Sequence, residues 1–373
     1  MRILINGLSA RLGGGQTYLR NILTNFPSNY DAEVFLLCDP ALKIDNYKNK
    51  VHLIKIGGLE NPFFRAIWEA FFLNKMIAKF KIDILFCPGG MLPIFNTTKN
   101  LKTVVTFQNM LPFDSFQCNR YPLGYRRLRH WLLKKIFIGS MKKANLVIFI
   151  SQFAKNYISS VFDGVFFHNS VVIPHGVSNF FFPVKNKLIG SPLSKPYFLY
   201  VSYIDIYKSQ LEILEAYHVL LKSMNIDIDL IFVGAEYKPY GDLLRSKIRE
   251  YCLDEKVFIL GNLPHEDLPA FYQNSVFNIF ASCTENCPNI LLEMMASGKP
   301  ALVSFFEPMP EFSLDTVVYF NPENLDDIVK KWKFTLLHLN FLKRKANKSL
   351  SIASKFTWRS TGRNTWKAIY NLK

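Results

Sequence analysis

Short, largely apolar runs recur along the first part of the chain, with helical patterns between them. These runs are Ile3–Ile5, Val34–Leu37, Ile84–Phe86, Val104–Phe107 and Leu146–Ile150. Continuous apolar runs of this kind are typical of parallel strands that are covered on both faces. Between the first two runs, apolar residues from Tyr18 to Phe26 repeat at helical spacing. The alternation of strand and helix predicts a doubly wound α/β sheet.

The same pattern restarts after an irregular stretch that runs from about residue 177 to residue 195. The strands predicted in the second series are Tyr197–Val201, Leu230–Val233, Val257–Leu260, Val276–Phe280 and Ala301–Val303. Two sheets in series indicate two domains, and 373 residues suit two α/β domains better than one. We expect a first domain over 1–177, a second over 178–350, and a terminal amphipathic helix in 351–373.

Composition indicates a folded, enzyme-sized protein. The chain is 49% hydrophobic and 20% charged, which argues against disorder. No run approaches the roughly 20 apolar residues that a membrane span needs, and the strand-like start at Met1–Gly7 is too short for a secretory signal. The six cysteines include no CxxC pair, a pattern that favours reduced thiols. We therefore expect a cytoplasmic protein.

The net charge of +16 is concentrated in part within 120–143, where basic residues alternate with aromatic and aliphatic ones. Such a stretch favours peripheral contact with an anionic membrane or an acidic acceptor. The alternative is a helical hairpin that buries its apolar stripe and exposes its lysines to water. A nucleic-acid-binding protein would also explain the charge, but no recognised nucleic-acid motif accompanies it. We expect no nucleic-acid partner.

Gly13-Gly14-Gly15 lies between the first predicted strand and the first predicted helix. Glycines allow the backbone to turn sharply and to approach a ligand closely. The amide groups at the start of the following helix suit a phosphate. The motif is not GxGxxG, so a plain tight turn is the alternative interpretation.

Two carboxylates, Glu285 and Glu293, bracket the start of another predicted helix. Pro288 suits the first helical position, and Gly298 is typical of a helix end. Glu285 is therefore expected in the loop before the helix and Glu293 inside it. Carboxylates accept hydrogen bonds from paired sugar hydroxyls, whereas a solvated side chain is the ordinary fate of a glutamate.

Lys208 follows the predicted strand Tyr197–Val201 and precedes a helix. A lysine at the carboxyl end of such a strand can neutralise a diphosphate, although a surface lysine is the default interpretation. The DxD spacing of Asp227-Ile228-Asp229 leads directly into a strand, so we interpret it as a strand entry. Cys283 and Cys287 are interpreted as small apolar residues, and no histidine spacing supports a zinc site. No metal site is predicted.

Several motifs together resemble those of family 4 glycosyltransferases, over nearly the whole chain. The double-glutamate spacing from Glu285 to Glu293 is the most specific of them. The others, in chain order, are the glycine-rich loop, Ile150–Ala154, Val172–Val177, Leu260–Pro264, Ser297–Pro300, Glu307–Glu311 and Tyr319–Pro322. The resemblance implies a GT-B fold, with two Rossmann-like domains facing a cleft and a C-terminal helix that crosses back to the first domain.

The resemblance also implies a retaining glycosyltransferase that needs no metal and no cofactor besides its nucleotide-diphosphate-sugar donor. In such enzymes the residues that match Glu293, Glu285 and Lys208 bind the ribose, the donor sugar and the diphosphate. The remaining donor-site candidates are Gly14, Gly15, Leu263, Pro288, Asn289 and Ile290. The catalytic candidates are Glu285, Lys208 and Gln108. Fixed positive groups at the departing diphosphate would stabilise it electrostatically.

Three positions depart from the family pattern. Ser202-Tyr203 stands where Gly-Arg is frequent, Gln108-Asn109 where His-Asp is frequent, and Asn286–Pro288 where Gly-Phe-Gly is usual. A glutamine can bind a sugar hydroxyl but cannot act as an acid or base. A non-catalytic relative that binds nucleotide sugar is therefore the alternative to an active transferase. The expected acceptor is a polysaccharide or a lipid-linked oligosaccharide of the bacterial cell envelope.

Overall fold

The computed structural model describes residues 1–10, 13–42, 50–93, 100–161, 169–184 and 190–372. The strands are β1 (Arg2–Asn6), β2 (Glu33–Cys38), β3 (Val51–Lys55), β4 (Ile84–Cys87), β5 (Lys102–Phe107), β6 (Leu146–Phe149), β7 (Ser170–Val172), β8 (Tyr197–Val201), β9 (Asp229–Val233), β10 (Val257–Ile259), β11 (Asn278–Phe280), β12 (Ala301–Ser304) and β13 (Val318–Phe320). The α-helices are α1 (Gly14–Thr24), α2 (Pro62–Trp68), α3 (Asn74–Lys79), α4 (Ser115–Asn119), α5 (Tyr125–Lys143), α6 (Gln152–Val161), α7 (Gln210–Ser223), α8 (Lys238–Glu250), α9 (Leu268–Asn274), α10 (Asn289–Ala296), α11 (Met309–Ser313), α12 (Leu325–Leu337), α13 (Leu339–Ala353) and α14 (Trp358–Tyr370). A π-helical segment, Glu69–Leu73, joins α2 to α3.

The chain forms two compact units. The first unit contains Met1–Pro112, Leu128–Gly176 and Thr357–Lys373. The second contains Phe113–Arg127 and Val177–Phe356. A segment that follows β5 in the sequence, Phe113–Arg127, is thus part of the second unit.

The first unit is built on a parallel sheet with the strand order β3-β2-β1-β4-β5-β6-β7. Each of the five apolar runs predicted in this part of the chain matches a strand, and only the last run extends one residue beyond it, at Ile150. Continuous apolar sequence suits strands with both faces covered. The sequence prediction did not include β3 and β7, which form the two edges of the sheet. The order reverses direction between β1 and β4, which is where ligands bind in open α/β sheets.

Helices α1 and α14 pack together on the first sheet. The indole Nε1 of Trp366 donates to the Ile22 carbonyl at 2.7 Å, and its ring meets Phe26 edge-on at 4.8 Å. A Cβ on Gly362 would lie 2.5 Å from the Asn25 side chain, so the two helices approach closely where a glycine removes the side chain. The terminal amphipathic helix is confirmed, and it covers apolar surface of the first unit.

The second unit is built on a parallel sheet with the order β10-β9-β8-β11-β12-β13, which reverses between β8 and β11. Trp332 of α12 is fully buried, with Phe198 of β8 edge-on at 5.1 Å and Tyr217 of α7 stacked at 5.9 Å. Two doubly wound parallel sheets confirm the α/β fold class expected from the sequence.

Candidate functional site

Lys208 lies where the second sheet reverses its strand order, in a turn that follows β8. Asp205 begins the turn, and its Oδ1 accepts a hydrogen bond from the Ile206 amide at 2.8 Å. The 3₁₀ turn Ile206–Lys208 follows, and Ser209 then takes a left-handed conformation at φ 54° before α7 starts. This tight turn directs Lys208 back toward the carboxyl ends of β8 and β11.

The Lys208 ammonium pairs with the Glu285 carboxylate, in the loop that follows β11. The two side chains are only 6% and 17% exposed, so both charges are largely removed from water. The ammonium also stands 4.8 Å from the centre of the Tyr207 ring and 5.4 Å from that of Phe280. Burial and ring contacts make this a positively charged group fixed in place, as required to stabilise an anion.

One backbone hydrogen bond and the Tyr200 hydroxyl connect the two loops. The Cys283 amide donates to the Tyr207 carbonyl at 2.8 Å, and the Tyr200 hydroxyl donates to the Lys208 carbonyl at 2.5 Å. The same hydroxyl accepts from the Ala281 amide at 3.1 Å. The ion pair between Lys208 and Glu285 is therefore built on a fixed backbone.

Glu293 lies in the second turn of α10, and both of its oxygens have partners. His265 Nε2 is 2.9 Å from Oε1, and the Tyr272 hydroxyl donates to Oε2 at 3.3 Å. Burial lowers the pKa of His265, but the hydrogen bond and the charge of Glu293 outweigh it and raise that pKa above its ordinary value. Burial and the same carboxylate raise the pKa of the Tyr272 hydroxyl, which stays protonated.

The other donor-site candidates of the second unit surround these carboxylates in the sequence. Pro288 is the N-cap of α10, so the helix begins one residue later than predicted. The Asn289 amide donates to the Cys287 carbonyl at 2.9 Å, and Ile290 follows within the first turn. Leu263 lies half-buried in the loop after β10.

The first unit contains the remaining candidates. Gly13 has φ 57°, and α1 begins at Gly14, so the glycines form the turn into a helix as the sequence suggests. Gly15 approaches Ala10, because a Cβ there would lie 3.4 Å from that residue. Gln108 directly follows β5, and its Nε2 donates to the Pro88 carbonyl at 2.8 Å.

The segment Asp114–Arg127 contacts both loops of the ion pair, a role that sequence reasoning did not predict, because it considered 120–127 only as part of the basic stretch. Asp205 Oδ1 accepts from the Tyr121 hydroxyl at 2.9 Å, and its Oδ2 pairs with Arg126 at 3.2 Å. Asp114 accepts a hydrogen bond from Thr284, the residue before Glu285. A further ion pair links Arg120 to Glu212 of α7 at 2.5 Å. The apolar pattern of the segment gave no signal for these contacts, since they depend on single polar side chains.

The aspartates and cysteines that the sequence analysis did not interpret as metal ligands have other structural roles. Cys283 and Cys287 are buried, and burial raises the pKa of Cys283 to about 12. Asp229 begins β9, as the strand-entry interpretation predicts, and Asp227 pairs with Lys256 at the surface. Within the described ranges, no three His, Cys, Asp or Glu side chains are grouped so that they could hold a metal ion.

Some apolar side chains of the basic stretch 120–143 are buried in the core and others are exposed at the surface. Tyr121 and Phe137 are buried, which agrees with the core interpretation. Tyr125, Trp131 and four further apolar residues are exposed, which agrees with the surface interpretation; the four are Leu123, Leu128, Leu132 and Ile136. Among the residues with described positions, no helix is long and apolar enough to cross a bilayer.

Comparisons with known proteins give the same assignment for both halves of the chain. The family model described as Glycosyltransferase Family 4 matches residues 12–179, and the model described as Glycosyl transferases group 1 matches residues 183–348. O-antigen chain mannosyltransferase B of Escherichia coli is 23% identical over 274 residues, which cover 72% of this chain and 70% of that protein.

Two solved structures show the same fold over the whole chain. Sucrose-phosphate synthase from Thermosynechococcus elongatus has a TM-score of 0.78 and 16% identity, with 100% of this chain and 99% of that chain covered. HepE of Anabaena, in complex with UDP-glucose, has a TM-score of 0.74 and 16% identity, with both chains covered completely. These likenesses confirm the GT-B fold. Because the two family models together match residues from 12 to 348, the chain belongs to family 4 of the glycosyltransferases.

Proposed function

We propose that this glycosyltransferase moves a hexose, with retention of configuration, from a nucleotide-diphosphate sugar to a growing cell-envelope glycan. The observation that carries the proposal is the buried Lys208–Glu285 pair at the strand-order reversal of the second sheet. A fixed cation at this point suits a diphosphate, and a carboxylate beside it suits sugar hydroxyls. The UDP-glucose bound to the structurally similar HepE supports a nucleotide-sugar donor.

Each donor group has a candidate partner. Lys208 and the first turn of α10, beside Pro288 and with Asn289 and Ile290, would bind the diphosphate. Glu293 would accept the ribose hydroxyls, and Leu263 would border the base. Glu285 would contact the transferred sugar. Gly14 and Gly15 would offer backbone amides to the diphosphate, and Gln108 would bind a hydroxyl of the sugar.

We infer a front-face displacement at the anomeric carbon. The bond from that carbon to the diphosphate oxygen breaks, and a bond to the acceptor oxygen forms on the same face. The acceptor proton passes to the leaving diphosphate, while Lys208 offsets the negative charge that develops there. Neither a metal nor another cofactor takes part. An inverted product anomer, or activity that disappears with a chelator and returns with a divalent cation, would contradict this scheme.

The acceptor would be a polysaccharide or a lipid-linked oligosaccharide, at the cytoplasmic face of a bacterial membrane. The similarity to an O-antigen mannosyltransferase supports this class of acceptor. Peripheral contact with the membrane is proposed for 120–143, where exposed Tyr125 and Trp131 lie among basic residues. This contact requires the protein to bind anionic vesicles at low salt and to leave them at high salt.

A thermal-shift screen tests the donor site. Purified protein is heated without metal in the presence of a panel of nucleoside diphosphates and nucleotide sugars. A ligand that binds only the folded state raises the apparent melting temperature. Stabilisation by one nucleotide, lost in Glu293→Ala and kept in the exposed control Glu323→Ala, supports the proposal. No response to any nucleotide by well-folded protein would refute it.

The departures at Ser202-Tyr203 and Gln108 favour one second candidate, a relative that binds donor without transferring it. The same screen identifies the nucleotide for a transfer assay. A protein that binds the donor, but neither hydrolyses it nor transfers its sugar to any of a panel of envelope-glycan acceptors, would favour this second candidate over an active enzyme.

A further inference from the structure

The helical stretch Pro62–Lys79 of the first unit exposes an unusual amount of apolar surface. It consists of α2, the π-helical segment and α3, and none of the residues of α2 is buried. Phe63 and Phe71 are each 67% exposed. Phe64, Ile67 and Phe72 are exposed as well. Large apolar side chains grouped in this way on a surface mark an interaction site.

The exposed side chains form two neighbouring stripes, because residues four apart lie above one another on a helix. Phe63, Ile67 and Phe71 form one stripe, and exposed Phe64 and Phe72 form the other, with the half-buried Trp68 between them. Within the second stripe, the rings of Trp68 and Phe72 stack at 5.8 Å. Exposure of both stripes gives one continuous aromatic face.

The opposite stripe of the same stretch anchors it to the first unit. Leu73 and Ile77 are buried, and the Asn6 amide donates to Glu69 Oε1 at 2.9 Å. Burial raises the pKa of the Glu69 carboxyl, although the Asn6 hydrogen bond and the charge of Arg65 lower it in part. The stretch is therefore attached by one face, and the aromatic face is directed away from the unit.

Charged residues along the stretch also differ between its inward and its outward side. Between Pro62 and Lys81 the sequence contains one acidic residue, Glu69, and it belongs to the inward stripe. Lys75, Lys79 and Lys81 are exposed at the carboxyl end, and the Lys75 ammonium lies 5.5 Å from the centre of the Phe72 ring. An outward surface that is aromatic at one end and cationic at the other complements an anionic lipid surface, with rings among acyl chains and lysines among headgroups.

We propose that Pro62–Lys79 is an interfacial element that inserts its aromatic face into an anionic bilayer. The stretch is about 27 Å long at 1.5 Å per residue, so it can lie in the interface but not span the membrane. This inference adds a second element to the membrane contact proposed for 120–143, and it rests on separate observations.

The stretch Pro62–Lys79 and the part of α5 that belongs to the first unit, from Leu128 onward, lie on one face of the first sheet. The chain moves across the sheet in the same direction from β3 to β4 as from β5 to β6, and crossovers between parallel strands are right-handed. Helices α2, α3 and α5 therefore share a face, whereas α1, which joins β1 to β2 in the other direction, covers the opposite one. One membrane surface can contact both elements.

Sedimentation of the full chain with vesicles tests the proposal. Vesicles of phosphatidylglycerol with phosphatidylcholine are compared with vesicles of phosphatidylcholine alone, at low and at high salt. Phe71→Ser/Phe72→Ser should lower the partition coefficient about a hundredfold, at about tenfold for each ring withdrawn from the bilayer. Lys75→Gln/Lys79→Gln should lower it about 25-fold on anionic vesicles at low salt, at about fivefold for each charge.

The control variant is Leu337→Ser/Phe341→Ser, which removes two comparably exposed apolar side chains from α12 and α13. It should sediment like the wild type. An equal loss in this control, or unchanged sedimentation of Phe71→Ser/Phe72→Ser, overturns the proposal. So does a fall in oligomer mass of that variant, in ultracentrifugation without lipid, because a second copy of the chain would then cover the aromatic face.

Two further measurements separate this inference from the other proposals. If Trp131→Ser/Leu132→Ser abolishes vesicle binding and Phe71→Ser/Phe72→Ser leaves it intact, the contact belongs to 120–143 alone and the inference is wrong. Nucleotide-induced thermal shifts of the Phe71→Ser/Phe72→Ser variant should equal those of the wild type. A wild type that binds anionic vesicles but no nucleotide would refute the proposed donor site and leave the membrane element standing.

Discussion

Removing either partner of the Lys208–Glu285 pair should destabilise the second unit. Comparing the two variants should also separate the structural role of the lysine, as the partner of Glu285, from its proposed role in binding the diphosphate. In Glu285→Gln the ammonium remains between the Tyr207 and Phe280 rings, but the charge that offsets it is gone. In Lys208→Met the carboxylate remains in a site where it is only 17% exposed. Both changes leave a charge poorly solvated, which is costlier than losing a surface contact.

The magnitude follows from the burial of the pair. Breaking a buried ion pair costs about 3–5 kcal/mol, and the partial exposure of Glu285 reduces this to about 2–4 kcal/mol. The double variant Lys208→Met/Glu285→Gln leaves no charge, so a coupling free energy of about 2 kcal/mol is expected. The surface pair of Lys247 and Glu250, with side chains 38% and 55% exposed, is the matched control. Lys247→Met should cost far less than Lys208→Met, because solvent screens this pair.

Urea unfolding of the three single variants and of the double variant gives the free energies directly. Titration calorimetry then measures the affinity of each variant for the nucleoside diphosphate that the thermal-shift screen identifies. Lys208→Met should weaken binding about 10- to 100-fold, because a charged hydrogen bond to the phosphate is lost. Glu285→Gln should bind the diphosphate at least as tightly as the wild type, since no carboxylate competes for the lysine.

Two outcomes would refute this reasoning. A Lys208→Met variant that is as stable as the Lys247→Met control would show that the pair is not a buried interaction. Diphosphate binding weakened equally by Glu285→Gln and Lys208→Met would show that the carboxylate supports the lysine rather than competing with the ligand for it.

Three further predictions concern other residues of the second unit. Glu293→Gln should weaken nucleotide binding about 10- to 100-fold, measured by calorimetry, because ribose hydroxyls lose a charged acceptor. His265→Gln should flatten the dependence of melting temperature on pH. The pKa of His265 is raised in the folded state. The stabilisation that protonated His265 provides is therefore complete below its ordinary pKa of 6.5 and is lost as the pH rises through the folded pKa. This contribution should stay below about 1 kcal/mol, since the side chain is 42% exposed. Gly234→Ala should cost about 2–4 kcal/mol in urea unfolding, because φ is 149° and a Cβ would lie 1.9 Å from the Ser202 carbonyl oxygen. Gly261→Ala, with φ 70° and open space around the Cβ, should cost about 1 kcal/mol.

Each of these has a result that would contradict it. Nucleotide binding by Glu293→Gln equal to that of Glu323→Gln would remove Glu293 from the donor site. A His265→Gln protein with the wild-type pH profile would show that another group titrates. Equal destabilisation by the two glycine substitutions would mean that backbone conformation, and not the contact with Ser202, determines the cost at Gly234.

Much of the fold could be predicted from the sequence because parallel strands that are buried on both faces have continuous apolar sequences. Every run identified in this way overlaps a strand of the structure, and the run extends one or two residues beyond the strand at β6, β10 and β11. The described strands that were missed, β3, β7 and β13, are short or partly exposed strands at sheet edges. β3 is partly exposed, so Val51–Lys55 mixes apolar and polar residues like an ordinary surface segment. β7 and β13 have only three residues each, which is too short for a clear apolar run.

The chemistry of the candidate site was less accessible from the sequence. The resemblance identified Lys208, Glu285 and Glu293, but not that the first two pair with each other or that His265 and Tyr272 contact the third. Such contacts join residues far apart in the sequence through single polar atoms, which produce no periodic signal. The aromatic stretch Pro62–Lys79 was missed for another reason. Its apolar residues follow helical spacing, and sequence periodicity does not distinguish a buried face from an exposed one.

The role of Asp205 connects these observations. Its Oδ1 accepts from the Ile206 amide and the Tyr121 hydroxyl, and its Oδ2 pairs with Arg126. A carboxylate with both oxygens bound in this way shapes the turn that carries Lys208 instead of competing for the ammonium. The segment that supplies Tyr121 and Arg126 also supplies Asp114, which accepts a hydrogen bond from the residue before Glu285. A displacement of this segment therefore acts on the loops of both charged partners together, so the geometry of the ion pair depends on a part of the chain that contains neither of them.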